Sequence, residues 1–171
     1  TTADMPPERI VQLLDTILPE LLNIIIEKRG GMVDKILGDG VMAAFGHPYS
    51  GGADLDQAIR AAADMQVAIG GMGSVFDRLG LPRLRLGIGM NYGKVLACHI
   101  GSKQHSENTF IGSAVNMAAK MEDIALANEV VIAAHASEHL RTSESPIAHL
   151  LEPVDSTRYG SGHAKVRWQE L

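Results

Sequence analysis

An α+β fold built on a mostly antiparallel sheet is the architecture this sequence predicts, on three observations. Two apolar stretches, at 32–37 and 41–45, flank Gly38-Asp39-Gly40. That is a hairpin signal, because glycine takes positive φ without steric cost. Apolar residues recur at helical spacing in 7–28, 54–79 and 113–124. Short strand-like runs separate these segments, so hairpins stand beside helical crossovers.

Pro6-Pro7-Glu8 opens the first helix, with proline and then an acid in the first turn. Ile10, Leu13, Leu14, Ile17, Leu18, Leu21, Leu22 and Ile25 give it one apolar face, and Gly30-Gly31 ends it. Pro19 lies inside the run and predicts a mild kink or a break. After the hairpin, 47–52 reads as a loop. Ala58, Ile59, Ala62, Met65, Ala68 and Ile69 then mark a helix over 54–79, weakened late by Gly70-Gly71.

The run 84–90 alternates apolar with small or charged residues and reads as a strand; Asn91-Tyr92-Gly93 turns it into a second strand, 94–100, closed by Gly101-Ser102. Together, 84–102 is expected to form a hairpin. A short strand ends at Phe110-Ile111. The helix at 113–124 packs through Val115, Ala118, Ala119 and Met121. A buried strand at 130–133, a short helix at 137–142 and a last strand at 164–171 complete the prediction. The whole, 1–171, is expected to be one domain.

Composition narrows the function classes. The 171 residues are 46% hydrophobic and 20% charged, with a net charge of −5, as in ordinary globular proteins. No basic run interleaves with aromatics, so nucleic acid is not an expected partner. The single cysteine, Cys98, excludes an internal disulfide and is compatible with a reducing cytoplasm. No signal peptide or apolar run of transmembrane length occurs. The histidines show no metal-ligand spacing.

Two stretches carry candidate chemistry. Asp39, at the tight turn, is either a turn-former or a carboxylate able to hold a hard cation such as Mg²⁺, with the backbone at Gly38 able to approach a phosphate. Asn108 to Lys120 reads as strand, glycine turn and helix, whose first turn can meet an anion through its free N–H groups. Asn116 and Lys120 are four residues apart and share a helix face, which suits a negatively charged ligand or a solvated surface.

The run Asp34-Lys35-Ile36-Leu37-Gly38-Asp39-Gly40-Val41-Met42-Ala43-Ala44-Phe45-Gly46-His47-Pro48 resembles the metal-binding hairpin of class III nucleotidyl cyclases, Asp-Lys-x-x-Gly-Asp-x-x-Met-Ala-x-Phe-Gly-x-Pro, at every fixed position. Thr109 to Lys120 is similar to the family's aromatic-Asp/Thr-x-x-Gly-x-x-Val-Asn-x-Ala-x-Arg. The resemblance implies a ferredoxin-like, palm-type fold. It implies an adenylate cyclase, a phosphorus–oxygen lyase converting ATP to 3′,5′-cyclic AMP and pyrophosphate, with two Mg²⁺ or Mn²⁺ ions per site and sites shared across a homodimer. By the same resemblance Asp39 is a metal ligand, Lys35 and Thr109 read the base, Gly38 lies at the substrate, Asn116 orients the ribose, and Lys120 stands where arginine stabilises the phosphorus. Threonine at 109 marks a subgroup that includes bicarbonate-responsive adenylate cyclases.

Departures accompany the match. Lys120 keeps the charge of the usual arginine and loses its two-oxygen fork. Cys98-His99 replaces the usual Gly-Asn. The family's phosphate lysine has only Arg158 and Lys165 as candidates. The first metal aspartate and its strand are expected upstream of Thr1, in a longer cytoplasmic protein compatible with regulatory or membrane domains. A guanylate cyclase typically carries Glu and Cys at 35 and 109, and neither occurs. A non-catalytic cyclase-homology module is the alternative from another class. A diguanylate cyclase is disfavoured by the missing Gly-Gly-Asp/Glu-Glu-Phe.

Overall fold

The computed structural model describes residues 5–101 and 106–171. Residues 1–4 and the closing residue Ser102 lie outside the described residues. The chain divides into two compact units, Thr1–Arg85 and Leu86–Leu171.

In the first unit, α1 (Pro7–Asn23) begins with proline in its first turn and Glu8 beside it. Pro19 sits inside α1 without ending it. The irregularity comes later, as a π-helical turn over Ile24–Lys28, where three isoleucines in succession crowd the last turn. Gly31 N–H then donates to Ile25 O at 2.7 Å. β1 (Met32–Leu37) and β2 (Gly40–Ala44) pair antiparallel. The helix predicted over 54–79 is two helices, α2 (Asp54–Gly71) and α3 (Gly73–Leu79), joined at Met72. Gly70-Gly71 supplies the weak point.

Leu13, Ile17 and Leu21 of α1 and Ile59, Ala62 and Phe76 of α2 and α3 are buried. Alanines at 58, 61, 62 and 63 give α2 a small-residue flank in that core. Asp64 on α2 binds Arg29 at 2.6 Å and Lys28 at 3.1 Å, tying down the end of the π turn. Burial works to raise the Asp64 carboxyl; hydrogen bonds from Arg29 and Lys28 outweigh it, and the group titrates below its usual range.

The second unit holds β3 (Gly87–Met90), β4 (Leu96–Gly101), β5 (Ser106–Ile111), α4 (Ser113–Ile124), β6 (Glu129–Ile132), α5 (Ala134–Thr142), β7 (Leu151–Pro153), α6 (Ser156–Tyr159) and β8 (Ala164–Val166). Its larger sheet runs β3-β6-β8-β7, and β4 and β5 form a separate ladder. Among the described residues, every pairing is antiparallel except β3 with β6. The fold is α+β and mostly antiparallel, as the sequence predicts.

The expected 84–102 hairpin does not form. β3 pairs in parallel with β6, and β4 pairs with β5. The reason is burial. Val130, Val131 and Ile132 of β6 are nearly inaccessible, and each such side chain contributes about 1.5–3 kcal/mol when covered. β6 therefore takes a neighbour along each edge, with α4 as the crossover from β3. Glycine makes this crossover close: a Cβ at Gly89 would lie 1.9 Å from the Glu122 nitrogen. The last strand also stops early, at Val166, and Trp168–Glu170 forms a 3-10 turn.

Candidate functional site

The β1–β2 hairpin carries Lys35, Gly38 and Asp39. Leu37 pairs with Gly40, so Gly38 and Asp39 alone make the turn. Gly38 has φ +59°, the arrangement in which the first turn residue needs positive φ. Gly38 and Asp39 are both exposed. Val33 opposes Ala43 and Lys35 opposes Met42, so Asp34 is the extra residue of a β-bulge. The Asp34 side chain is only 1% exposed, against 28% for Lys35, and Lys35 Nζ lies 3.7 Å from Asp34 Oδ2. Asp34 is the first fixed position of the hairpin motif, but the motif assigns it no role.

The second group lies on β5 and α4. Thr109 is 7% exposed and sits directly opposite Cys98, whose Sγ approaches Thr109 O at 3.6 Å. Cys98 is thus a partly buried member of the ladder. Gly112 precedes α4, and no side chain caps its first turn. The N–H groups of Val115 and Asn116 turn back to Gly112 O. Asn116 and Lys120 are both exposed on α4. Ala119, expected on the packed side, is exposed as well. Met121, expected on the packed side, is buried there, with Met117 and Ile124 packed around the same cluster as Val131 and Tyr159. Four-residue spacing from Met117 to Met121 sets that face, and Ala119 lies across the helix from it.

The turn after β3 braces the start of α4. Asn91 Nδ2 donates to Ala114 O at 3.3 Å, and a Cβ at Gly93 would meet Ala114 Cβ at 3.1 Å. Of the two cations considered for phosphate, Lys165 is engaged elsewhere. It forms an ion pair with Glu129, which also accepts from Tyr159 Oη and from the Leu126 N–H, each at 2.9 Å. The Lys165 ammonium also lies 4.9 Å from the Tyr159 ring centroid. Burial raises the Glu129 carboxyl, but the bonds from Lys165, Leu126 and Tyr159 carry it below its usual value. The bond to Glu129 raises Lys165. Arg158 is exposed, its guanidinium 5.4 Å from the same ring.

Among the described residues, no three His, Cys, Asp or Glu side chains gather as a ready metal cage. Asp39 contributes one exposed carboxylate. That donor fits a Mg²⁺ or Mn²⁺ bound largely through triphosphate oxygens and water, the usual manner of Mg²⁺ at nucleotides. No helix among the described residues is long and apolar enough to cross a membrane.

Comparison with known proteins completes the assignment. The adenylate and guanylate cyclase catalytic domain family matches residues 1–156, and the chain belongs to that family. An adenylate cyclase of Anabaena cylindrica is 32% identical over 124 residues, covering 70% of this chain and 24% of that protein. An uncharacterised protein of Mycobacterium tuberculosis is 28% identical over 148 residues, covering 85% of this chain and 26% of that protein. The chain thus spans about a quarter of these relatives' length. The crystal structure of the guanylyl cyclase Cya2 superposes with a TM-score of 0.79 at 26% identity, over 97% of this chain and 82% of the other. Relatives of both base specificities therefore stand near this chain.

Proposed function

We propose that this chain is the catalytic domain of an adenylate cyclase. It would convert ATP to 3′,5′-cyclic AMP and pyrophosphate by attack of the ribose 3′-hydroxyl on the α-phosphorus. The observation that carries the reading is the cation at position 35. A lysine donates to the acceptor N1 of adenine, whereas guanine presents a donor there, which a carboxylate would accept. Thr109, buried on β5, supplies the second contact to the base. Asn116 holds the ribose so that its 3′-oxygen faces the phosphorus. Lys120 adds positive charge where negative charge grows on the phosphoryl oxygens. Asp39 and the Gly38 backbone receive the metal-bound triphosphate. Bound divalent ions supply charge neutralisation and a lowered pKa for the 3′-hydroxyl. Arg158 is the candidate for the outer phosphates.

In this reading a homodimer assembles two sites, each drawing on both protomers. A second reading, a nucleotide-binding module without turnover, draws on Lys120 in place of arginine.

Steady-state assays of the full-length protein test the proposal. ATP turnover is expected to exceed GTP turnover. Lys35→Glu with Thr109→Cys should move the kcat/KM ratio towards GTP, since each polar mismatch costs about 1–3 kcal/mol. Preference for GTP in the unaltered protein would overturn the base assignment. Nucleotide binding without product would favour the second reading.

A further inference from the structure

Asp34 is a buried carboxylate that the proposed chemistry leaves unused. On a regular strand, neighbouring side chains project to opposite faces, which keeps successive residues from meeting. Here the bulge at Asp34 breaks the alternation, and the Lys35 ammonium comes within 3.7 Å of the Asp34 carboxylate. A carboxylate whose side chain is only 1% exposed is costly unless cations or donors compensate it. Lysine, for its part, is a point charge on a flexible stem that loses considerable freedom when fixed.

We propose that Asp34 is a positioning and specificity-determining residue: its buried carboxylate fixes the Lys35 ammonium and reserves position 35 for a cation. The inference rests on the reading of Lys35 as the base contact. It explains how a long, half-exposed side chain on a two-stranded hairpin presents its donor at a defined place. It also carries a consequence for base choice. An acid at position 35 would stand beside a buried carboxylate, and like charges so placed repel. Replacing Lys35 alone is therefore an incomplete change of specificity, because Asp34 opposes the new residue.

The test compares kcat/KM for ATP and for GTP in the full-length protein, with thermal stability measured alongside. Asp34→Asn should lower the ATP:GTP ratio about fivefold, the effect of releasing one ordered side chain. In a Lys35→Ala background the same substitution should change the ratio less than about twofold, as coupled residues require. Adding Asp34→Asn to the Lys35→Glu, Thr109→Cys pair should raise GTP kcat/KM about tenfold by removing the repulsion. A purely structural Asp34 would slow both nucleotides alike and leave the ratio unmoved, which overturns the inference. A shift in the ratio that persists without Lys35 overturns it too. If Asp34→Asn alone does not fold, Asp34→Asn with Lys35→Met is compared with Lys35→Met alone. Unequal ratios sink the inference; equal ratios sustain it only together with the tenfold GTP gain of the triple variant, and equal ratios without that gain sink it as well. Lys35→Ala separates the two layers of argument. If it leaves the ratio unchanged, the base reading falls and this inference with it. If it changes the ratio while Asp34→Asn does not, only this inference falls.

Discussion

The β1–β2 hairpin and the β3–α4–β6 crossover both carry candidate site residues, yet they hold them by different means. The hairpin is a two-stranded ladder with Ile36 and Leu37 exposed at 47% and 60%. Its side chains are placed by a turn, a bulge and an ion pair. α4 is pressed against β3 through Gly89, with Met121 buried 3% exposed beneath it. Its exposed residues are placed by what lies on the opposite face. Local electrostatics orients Lys35, whereas packing orients Asn116 and Lys120. Perturbations of charge should therefore register at the hairpin, and perturbations of volume at the helix.

The largest expected effect tests the packed side. Gly89→Ala puts a methyl 1.9 Å from the Glu122 nitrogen, and backbone cannot yield as a side-chain tip can. Stability should fall by at least about 3 kcal/mol in denaturant titration, at the upper end of overpacking costs. A loss under 1 kcal/mol would show that α4 is free to shift, erasing the contrast.

Next come the site residues on each side. Asp39→Ala and Asn116→Ala, made separately in the full-length protein, should each reduce kcat by about 100-fold or more, with little change in melting temperature. Co-expressed, they pair at random. About half the dimers then carry one intact site, and activity should return towards roughly a quarter of wild type. Activity that stays at the mutant background after verified subunit exchange would mean that the residues act within one chain.

A third measurement sharpens the role of charge within the sheet of the second unit. Glu129 titrates below the usual glutamate value of 4.5 because Lys165, Leu126 N–H and Tyr159 bind it against the opposing effect of burial. A depressed carboxyl contributes stability that is full above the unfolded value and is lost as pH falls through the folded one. Glu129→Gln should cost about 1.5–3 kcal/mol at neutral pH. The gap from wild type should close below about pH 4.5. A gap that persists in acid would assign the loss to packing.

Smaller effects close the series. Lys120→Arg should raise kcat about tenfold, or about 1.4 kcal/mol, with KM little changed, because a forked grip forms best on the transition state. A lower kcat would show the helix face shaped to lysine. At the hairpin, Gly38→Ala meets nothing within 4 Å but holds φ at +59°. It should cost about 1 kcal/mol by thermal melting, from backbone strain alone. A cost rivalling that of Gly89→Ala would mean that the hairpin, too, is fixed by packing.

Much of this was legible in the residues. Gly38-Asp39 makes the turn where an Asp between glycines predicts one, and α4 spans the Ser113–Ile124 that its apolar period marks. Such features rest on neighbours within a turn or two, which the sequence lists side by side. β7 was not legible, because three residues, Leu151–Pro153, are too few to show a period. Nor was the engagement of Lys165, since Glu129 lies 36 residues away along the chain.

By itself, then, the amino-acid order determined most of the element types, the tight turn, the helix face bearing Asn116 and Lys120, and the motif that places the chain in its family. Only the tertiary structure decided that β3 pairs in parallel with β6 rather than folding back on β4, since strand pairing answers to burial across the chain. Only it revealed the bulge that turns Asp34 inward beside Lys35. A strand's alternation is written in its own residues, but a break in that alternation depends on the register of its partner.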